Sequence, residues 1–380
     1  MGLQLTALDR RLSAIVRELP DVKAALPRIE PGLAGFLLAK RIHFSATIKK
    51  EGGRLPAGAE REGFQEFRGL FGADEARLVR REIAHTDLED DPADGPFAMA
   101  DGRTQLHLRV FRAGDGRPVV TNCVNTDVIA VAEDPGSSIF RFLRQHPALD
   151  SVSLHIGGAC EDVSLADEDE HWIPLAGVYS KAEVVERMNR TLAGLERNAR
   201  RAGFTGGFRL ENLDYHYPPG RSAYQHVTEP GFIGAIFERF PGYDILVDPA
   251  HLLVSAVNMP GYGPDRIDDY HCDLLAALDP SLHRLREIHL AVPEDRPGSA
   301  PRNMHDSHRS FRESLHGPRQ PEALAILGIL GDLLLRRDRL TDPPPLLINF
   351  ETPLADLPGD ARLVVRLVRL MREQRLLAEA

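Results

Sequence analysis

Eight side chains of metal-binding type recur in order at or near the ends of short apolar runs, or in one adjoining loop, between residues 155 and 351: His155, Glu211, Asp248, His251, His289, Asp306, His308 and Glu351. Carboxylates bridge or chelate ions and imidazoles complete their shells, and a mixed nitrogen and oxygen donor set suits Fe, Mn or Zn. Eight donors exceed the needs of one ion, so the set points to two or three. Taken singly, a histidine at the end of an apolar run is more often a hydrogen-bonded structural residue than a ligand. A carboxylate such as Glu211, closing the run of FRLEN, must be paired or metal-bound if it is buried. Asp248 and His251 form an Asp-x-x-His pair just past ILV, and Asp306 and His308 share one face if the chain there is extended. The ordered recurrence of these groups is what chance rarely supplies.

The elements that must position them are short apolar runs alternating with helical patterns. SVSLHIG ends near His155, YDILV precedes Asp248, REIHLA holds His289 and LLINF runs into Glu351. Helices are predicted over 180–201, 229–240, 265–278, 321–337 and 359–375. The first of these opens on a capping box, Ser180-Lys-Ala-Glu183, and stops at Gly203. Repeated strand–helix units imply a parallel sheet, and ligands at the same ends of successive strands imply an α/β fold of the TIM (β/α)8 type. Residues 151–380 are assigned to the metal-binding part of that barrel. MHDSHRSF, with Asp306 and His308, reads as a long loop.

Residues 1–150 read as an N-terminal extension plus divergent early barrel strands. An amphipathic helix covers the leucines from Leu5 to Leu19 and breaks near Pro20 and Pro27. Lys49 to Gly63 is a polar loop, Asp74 to His85 a helix, and Asp87 to Gly95 a solvated acidic loop. TQLHLRVFR, the turn AGDGRP and the β-branched run VVTNCVNTDVIAVAE together read as a β-hairpin or consecutive strands.

The bulk numbers narrow the function classes. A net charge of −10 gives no whole-chain basic field for nucleic acid. Cys123, Cys160 and Cys272 are too few and too scattered for a disulfide framework and fit a reducing cytosol. No apolar run is long enough to span a membrane, and the N-terminus lacks the apolar core of a secretory signal. A soluble, cytoplasmic protein is expected.

The ordered donor set resembles the trinuclear-metal barrels of the xylose-isomerase-like superfamily. Its local wording resembles the DUF692 family, the multinuclear non-haem iron-dependent oxidative enzymes. The phrases that carry this are VSLHIG, LENLDYH with TEPGFIGAIFERF, LVDPAHLLVSAVNMPG, IHLAVPE and HDSH, spread over roughly residues 150–360. The resemblance implies an oxidoreductase holding two or three Fe ions, with Zn or Mn as the alternative. Such an enzyme uses O2 as co-substrate, modifies a cysteine-containing peptide and often works with a separate peptide-recognition partner protein. Glu211, bridging, with Asp248 and His289, would be its catalytic centre. The family's early strand carries one more ligand histidine, followed by glycine. Here His43 in KRIHFSA and His107 in TQLHLRV are the candidates, and neither precedes glycine. Ala291-Val292 and Glu351-Thr352-Pro353 also depart from the family wording. The alternatives are a divalent-metal isomerase, a phosphodiesterase or other hydrolase on the same barrel, and an inactive barrel serving as a binding protein.

Overall fold

Period-two alternation gives each strand two unlike faces, and here the apolar face turns out toward the helices. The computed structural model describes residues 8–19, 28–49, 56–85, 97, 99, 103–108, 110–112, 118–120, 126–156, 163–164, 173–174, 178–215, 224–295 and 303–379. Eight strands close into a barrel: β1 (Ile42–Lys49), β2 (Arg81–His85), β3 (Thr104–Leu108), β4 (Ser151–His155), β5 (Gly207–Glu211), β6 (Asp244–Val247), β7 (Leu285–Leu290) and β8 (Leu346–Phe350). All eight ladders are parallel, and β8 returns to β1 to complete the ring. This is a TIM-type α/β barrel, with its first three strands inside residues 1–150.

Along these strands Ile83, Leu106, Val152, Leu154, Leu210, Ile288 and Ile348 belong to the apolar core under the surrounding helices. The residues between them, Glu82, Gln105, His107, Ser153, Arg209, Glu211, Glu287, His289 and Asn349, are buried and polar. Because successive side chains point to opposite faces, the polar set lines the barrel interior. Aliphatic side chains fill that space in most TIM barrels.

Several sequence expectations are corrected. Arg81–His85, read as part of a helix, is strand β2; helical structure there is confined to a 3-10 turn at Gly72–Asp74 and one α-turn at Glu75–Leu78. Residues 104–108 pair in parallel with β2 and β4 rather than forming a hairpin arm. Within the described part of that stretch, Val110–Arg112 and Pro118–Val120 pair antiparallel. Thr126–Glu133 is helical despite its β-branched residues. It packs on the helix Lys181–Arg201, where Asn198 donates to the Ala132 carbonyl at 2.9 Å. At Gly194 a Cβ would lie 2.8 Å from that same oxygen, so close packing overrides local propensity. The helix Ala59–Leu70 begins inside the stretch read as a loop. The segment read as a loop around Asp306 is a strand, Met304–Arg309, paired antiparallel with Val292–Asp295. The acidic run 87–95 lies outside the described residues. No described helix is long and apolar enough to cross a membrane.

Candidate metal centre

Glu211 closes β5 with its side chain directed into the barrel mouth and only 1% exposed. Four imidazoles surround its carboxylate. Oε2 lies 3.3 Å from His155 Nε2 and 3.7 Å from His107 Nδ1, while Oε1 lies 3.4 Å from His289 Nδ1 and 3.5 Å from His251 Nδ1. Neither oxygen accepts a hydrogen bond among the described residues. A carboxylate so placed needs cations around it, supplied by protons on the imidazoles or by metal.

The neighbouring donors are fixed by the chain just beyond the strands. Asp248 caps the helix Pro249–Asn258, and its Oδ1 accepts from the amides of Ala250 at 2.6 Å and His251 at 3.1 Å. That leaves Oδ2 buried and without a donor among the described residues. The same cap places His251 in the first helical turn. There its Nδ1 meets the Asn212 carbonyl at 2.8 Å, and Nε2 faces Asp306 at 3.5 Å and Asp248 at 3.9 Å. A backbone acceptor at Nδ1 fixes the tautomer and frees Nε2 for an ion. Asp306 and His308 arrive on the hairpin strand: His308 Nε2 lies 3.0 Å from both Asp306 Oδ2 and Glu351 Oε2. His308 takes a positive φ of 49°, unusual for a residue with a side chain. Asn258 anchors the hairpin, donating to the Met304 carbonyl at 2.6 Å and accepting from its amide at 2.9 Å.

All eight residues read from the sequence come together, and the structure adds a ninth. His107 stands on β3 beside His155, with ring centroids 5.2 Å apart, and its Nδ1 meets Ser153 Oγ at 2.9 Å. His43 lies elsewhere: its Nδ1 contacts the Arg77 carbonyl at 3.0 Å, and burial lowers its pKa to about 4. Among the described residues, donor atoms close enough for one ion occur in five sets. Four are at the mouth: His107–His155–Glu211, Glu211–Asp248–His251, Asp248–His289–Glu351 and Asp306–His308–Glu351. The fifth, Glu82–His107–His289, lies deeper.

Electrostatics bind the set together. Burial alone would raise the Glu211 pKa, but His289, His155 and His107 hold it well below the carboxylate range. Burial opposes protonation of His289 and His251, yet Glu82, Glu211 and Glu351 hold the first well above its ordinary value, and Asp248 and Asp306 do the same for the second. Burial pushes His107 well below the usual imidazole range. Burial also raises Asp248 to about 7, against the pull of His251. Asp306 goes the other way, since His308 and His251 outweigh burial.

Beneath the mouth lies a polar plug that sequence reading missed. Glu82 Oε1 accepts from Thr47 and Asn349, each at 2.9 Å, and Oε2 accepts from Gln105 at 2.9 Å. Glu287 accepts from Arg209 at 2.6 Å and from the Gln105 amide. Arg209 also donates to Gln105 Oε1 at 2.9 Å and reaches Asp150 at 3.2 Å. The available signal was spacing: Gln105 and His107, and Glu287 and His289, stand two apart on single strands and so share a face.

No protein-family model matches the chain, and no curated protein matches it. Among solved structures it is similar to an L-ribulose 3-epimerase, with 12% identity, 88% of this chain and 97% of that chain covered, and a TM-score of 0.46. A D-tagatose 3-epimerase-like protein matches at 10% identity and TM-score 0.42, covering 88% and 99% of the two chains. The apo form of 3-keto-D-glucoside 4-epimerase from E. coli matches at 13% identity and TM-score 0.43, covering 85% and 98%.

Proposed function

We propose that this barrel is a multinuclear metalloenzyme of the oxidoreductase class, holding two or three iron ions and using O2 to oxidise a cysteine-containing peptide. The observation that carries the metal assignment is Glu211, a buried carboxylate with no hydrogen-bond donor among the described residues and four imidazoles around it. Glu211, Asp248, Asp306 and Glu351 bring four negative charges to one buried region, the charge that two divalent ions would balance. The phrases VSLHIG, LENLDYH and LVDPAH, similar to those of the non-haem iron oxidative enzymes, support iron over zinc.

In this reading Glu211 would be the shared carboxylate, with His107 and His155 near its Oε2 and His289 and His251 near its Oε1. Asp306, His308 and Glu351 would hold the outer position, and Asp248 would join it to the centre. Bound iron would supply coordination positions for a thiolate and for O2, at a potential tuned by the anionic oxygens around it. The protein's own part is to orient each donor. Asn212 fixes the His251 ring through its carbonyl, the Asp248 cap sets the helix carrying that ring, and the apolar strand faces keep the ligands rigid. A separate recognition protein, or residues before 150, would present the peptide.

Elemental analysis of anaerobically purified protein tests the proposal. Two or more irons per chain with a visible charge-transfer band is the expected result. Zinc alone would redirect the assignment to a hydrolase, and protein without any metal, even after reconstitution, would leave a binding protein.

A further inference from the structure

The fifth donor set raises the question of whether the plug beneath the mouth is itself a metal site, and its hydrogen bonds answer against it. Every carboxylate oxygen of Glu82 and Glu287 already accepts from Thr47, Asn349, Gln105 or Arg209. These acids are satisfied, in contrast to Glu211, whose oxygens are not. Both acids nevertheless approach the same atom, a buried ring nitrogen that makes no hydrogen bond of its own among the described residues. His289 Nε2 lies 3.3 Å from Glu287 Oε1 and 3.4 Å from Glu82 Oε2, while its Nδ1 points up to Glu211 and Glu351 at 3.4 Å and 3.7 Å.

We propose that Glu82 and Glu287 are positioning residues that together hold the Nε2 proton of His289, so that this histidine meets metal only through Nδ1. The proposal rests on the metal-centre reading above and adds to it an orientation and a tautomer. An imidazole between two carboxylates and a metal site has one nitrogen for each. A proton shared with anionic acceptors on one side makes the other nitrogen a stronger donor to an ion. The plug keeps both acceptors aimed at the ring. Arg209 compensates one charge, and the amide of Gln105 reaches both acids from a single side chain. Thr47 on β1 and Asn349 on β8 hold Glu82 from the far side of the ring closure, and Asn349 also donates to Thr47 at 2.8 Å. Residues of six strands thus gather beneath one ring nitrogen. This accounts for a barrel interior of buried charge where aliphatic layers would be cheaper to fold.

The test is nitrogen NMR of the full chain with 15N-labelled histidine, loaded with diamagnetic zinc, with His289 identified by the signals lost in His289→Gln. The expected result is a metal-shifted Nδ1 and a protonated, slowly exchanging Nε2 with a resolved one-bond N–H coupling. Glu287→Gln and Glu82→Gln should speed exchange of that proton and weaken zinc binding about 10- to 100-fold in chelator competition. Zinc held through Nε2 of His289 overturns this inference alone. Failure of the chain to take up any zinc overturns the metal-centre reading and the inference with it. Should the variants not fold, the parent spectrum by itself decides between Nδ1 and Nε2.

Discussion

Replacing Glu211 with glutamine keeps the shape of the side chain and removes its charge, which makes it the sharpest perturbation of the centre. In metal-free protein the lost charge faces two imidazoles held protonated, His289 at 3.4 Å and His251 at 3.5 Å. At an effective dielectric of about 20, each such pair is worth roughly 5 kcal/mol before desolvation. After desolvation, breaking a buried pair by removing one partner costs about 3–5 kcal/mol. Over 380 residues the unfolding entropy is about 0.8 kcal/mol per degree, so the midpoint should fall by roughly 4–6 °C. In loaded protein the same change removes an oxygen donor from two adjoining donor sets, His107–His155–Glu211 and Glu211–Asp248–His251, and most of the metal should be lost. The assay is metal content by mass spectrometry, paired with thermal unfolding of chelator-treated parent and variant at neutral pH. A variant with the parent's full metal content, and a metal-free midpoint within a degree of the parent's, would refute the reasoning.

His107→Gln should lower the metal content, because His107 contacts Glu211 and His155, whereas His43→Gln should retain it in full; elemental analysis separates the two. Asp360, buried and accepting from the Arg312 amide at 2.9 Å, has its pKa raised by burial from 3.8 to about 7. The folded state therefore holds a proton that the unfolded state has released. Stability from this group is full below about pH 4 and is lost as pH rises toward 7, by an amount on the order of 4 kcal/mol. Asp360→Asn should remove that decline, so the gap between parent and variant midpoints should shift in the variant's favour from pH 5 to pH 8. Gly63→Ala would drive a Cβ into the Leu354 carbonyl oxygen, and should cost about 1–3 kcal/mol in denaturant unfolding without altering the metal donors.

The C-terminal half of the fold was legible because its strands are short apolar runs whose ends carry the donors, and because its helices announce their caps. Ser180 and Glu183 form the capping box read from the sequence, and Gly203 takes the positive φ of 89° expected of a stop. The N-terminal half was harder for a physical reason. Arg81, Glu82 and Gln105 look like exposed positions, yet the first donates to Thr104 at 2.8 Å and the other two belong to the plug, all buried. A strand with charge facing inward carries the pattern of a solvent-facing helix or hairpin. The same inversion concealed Glu82 and Glu287, whereas His107 was visible as a candidate but could not be chosen over His43. Distances chose it.

The antiparallel pair Val292–Asp295 and Met304–Arg309 carries two donors of the centre on strands that are not part of the barrel. Seven of the nine donors lie on the barrel strands or within four residues of their ends, while Asp306 and His308 ride on the second strand of this pair, clamped by Asn258. The inner positions therefore lie at the mouth of the closed barrel, and the outer one depends on a strand pair docked beside it. Amide exchange along 304–309 should be the part of the centre most sensitive to loading, because an ion there would staple the hairpin to Glu351. An ion held at that outer position would then be the one to leave and return with the least change to the barrel.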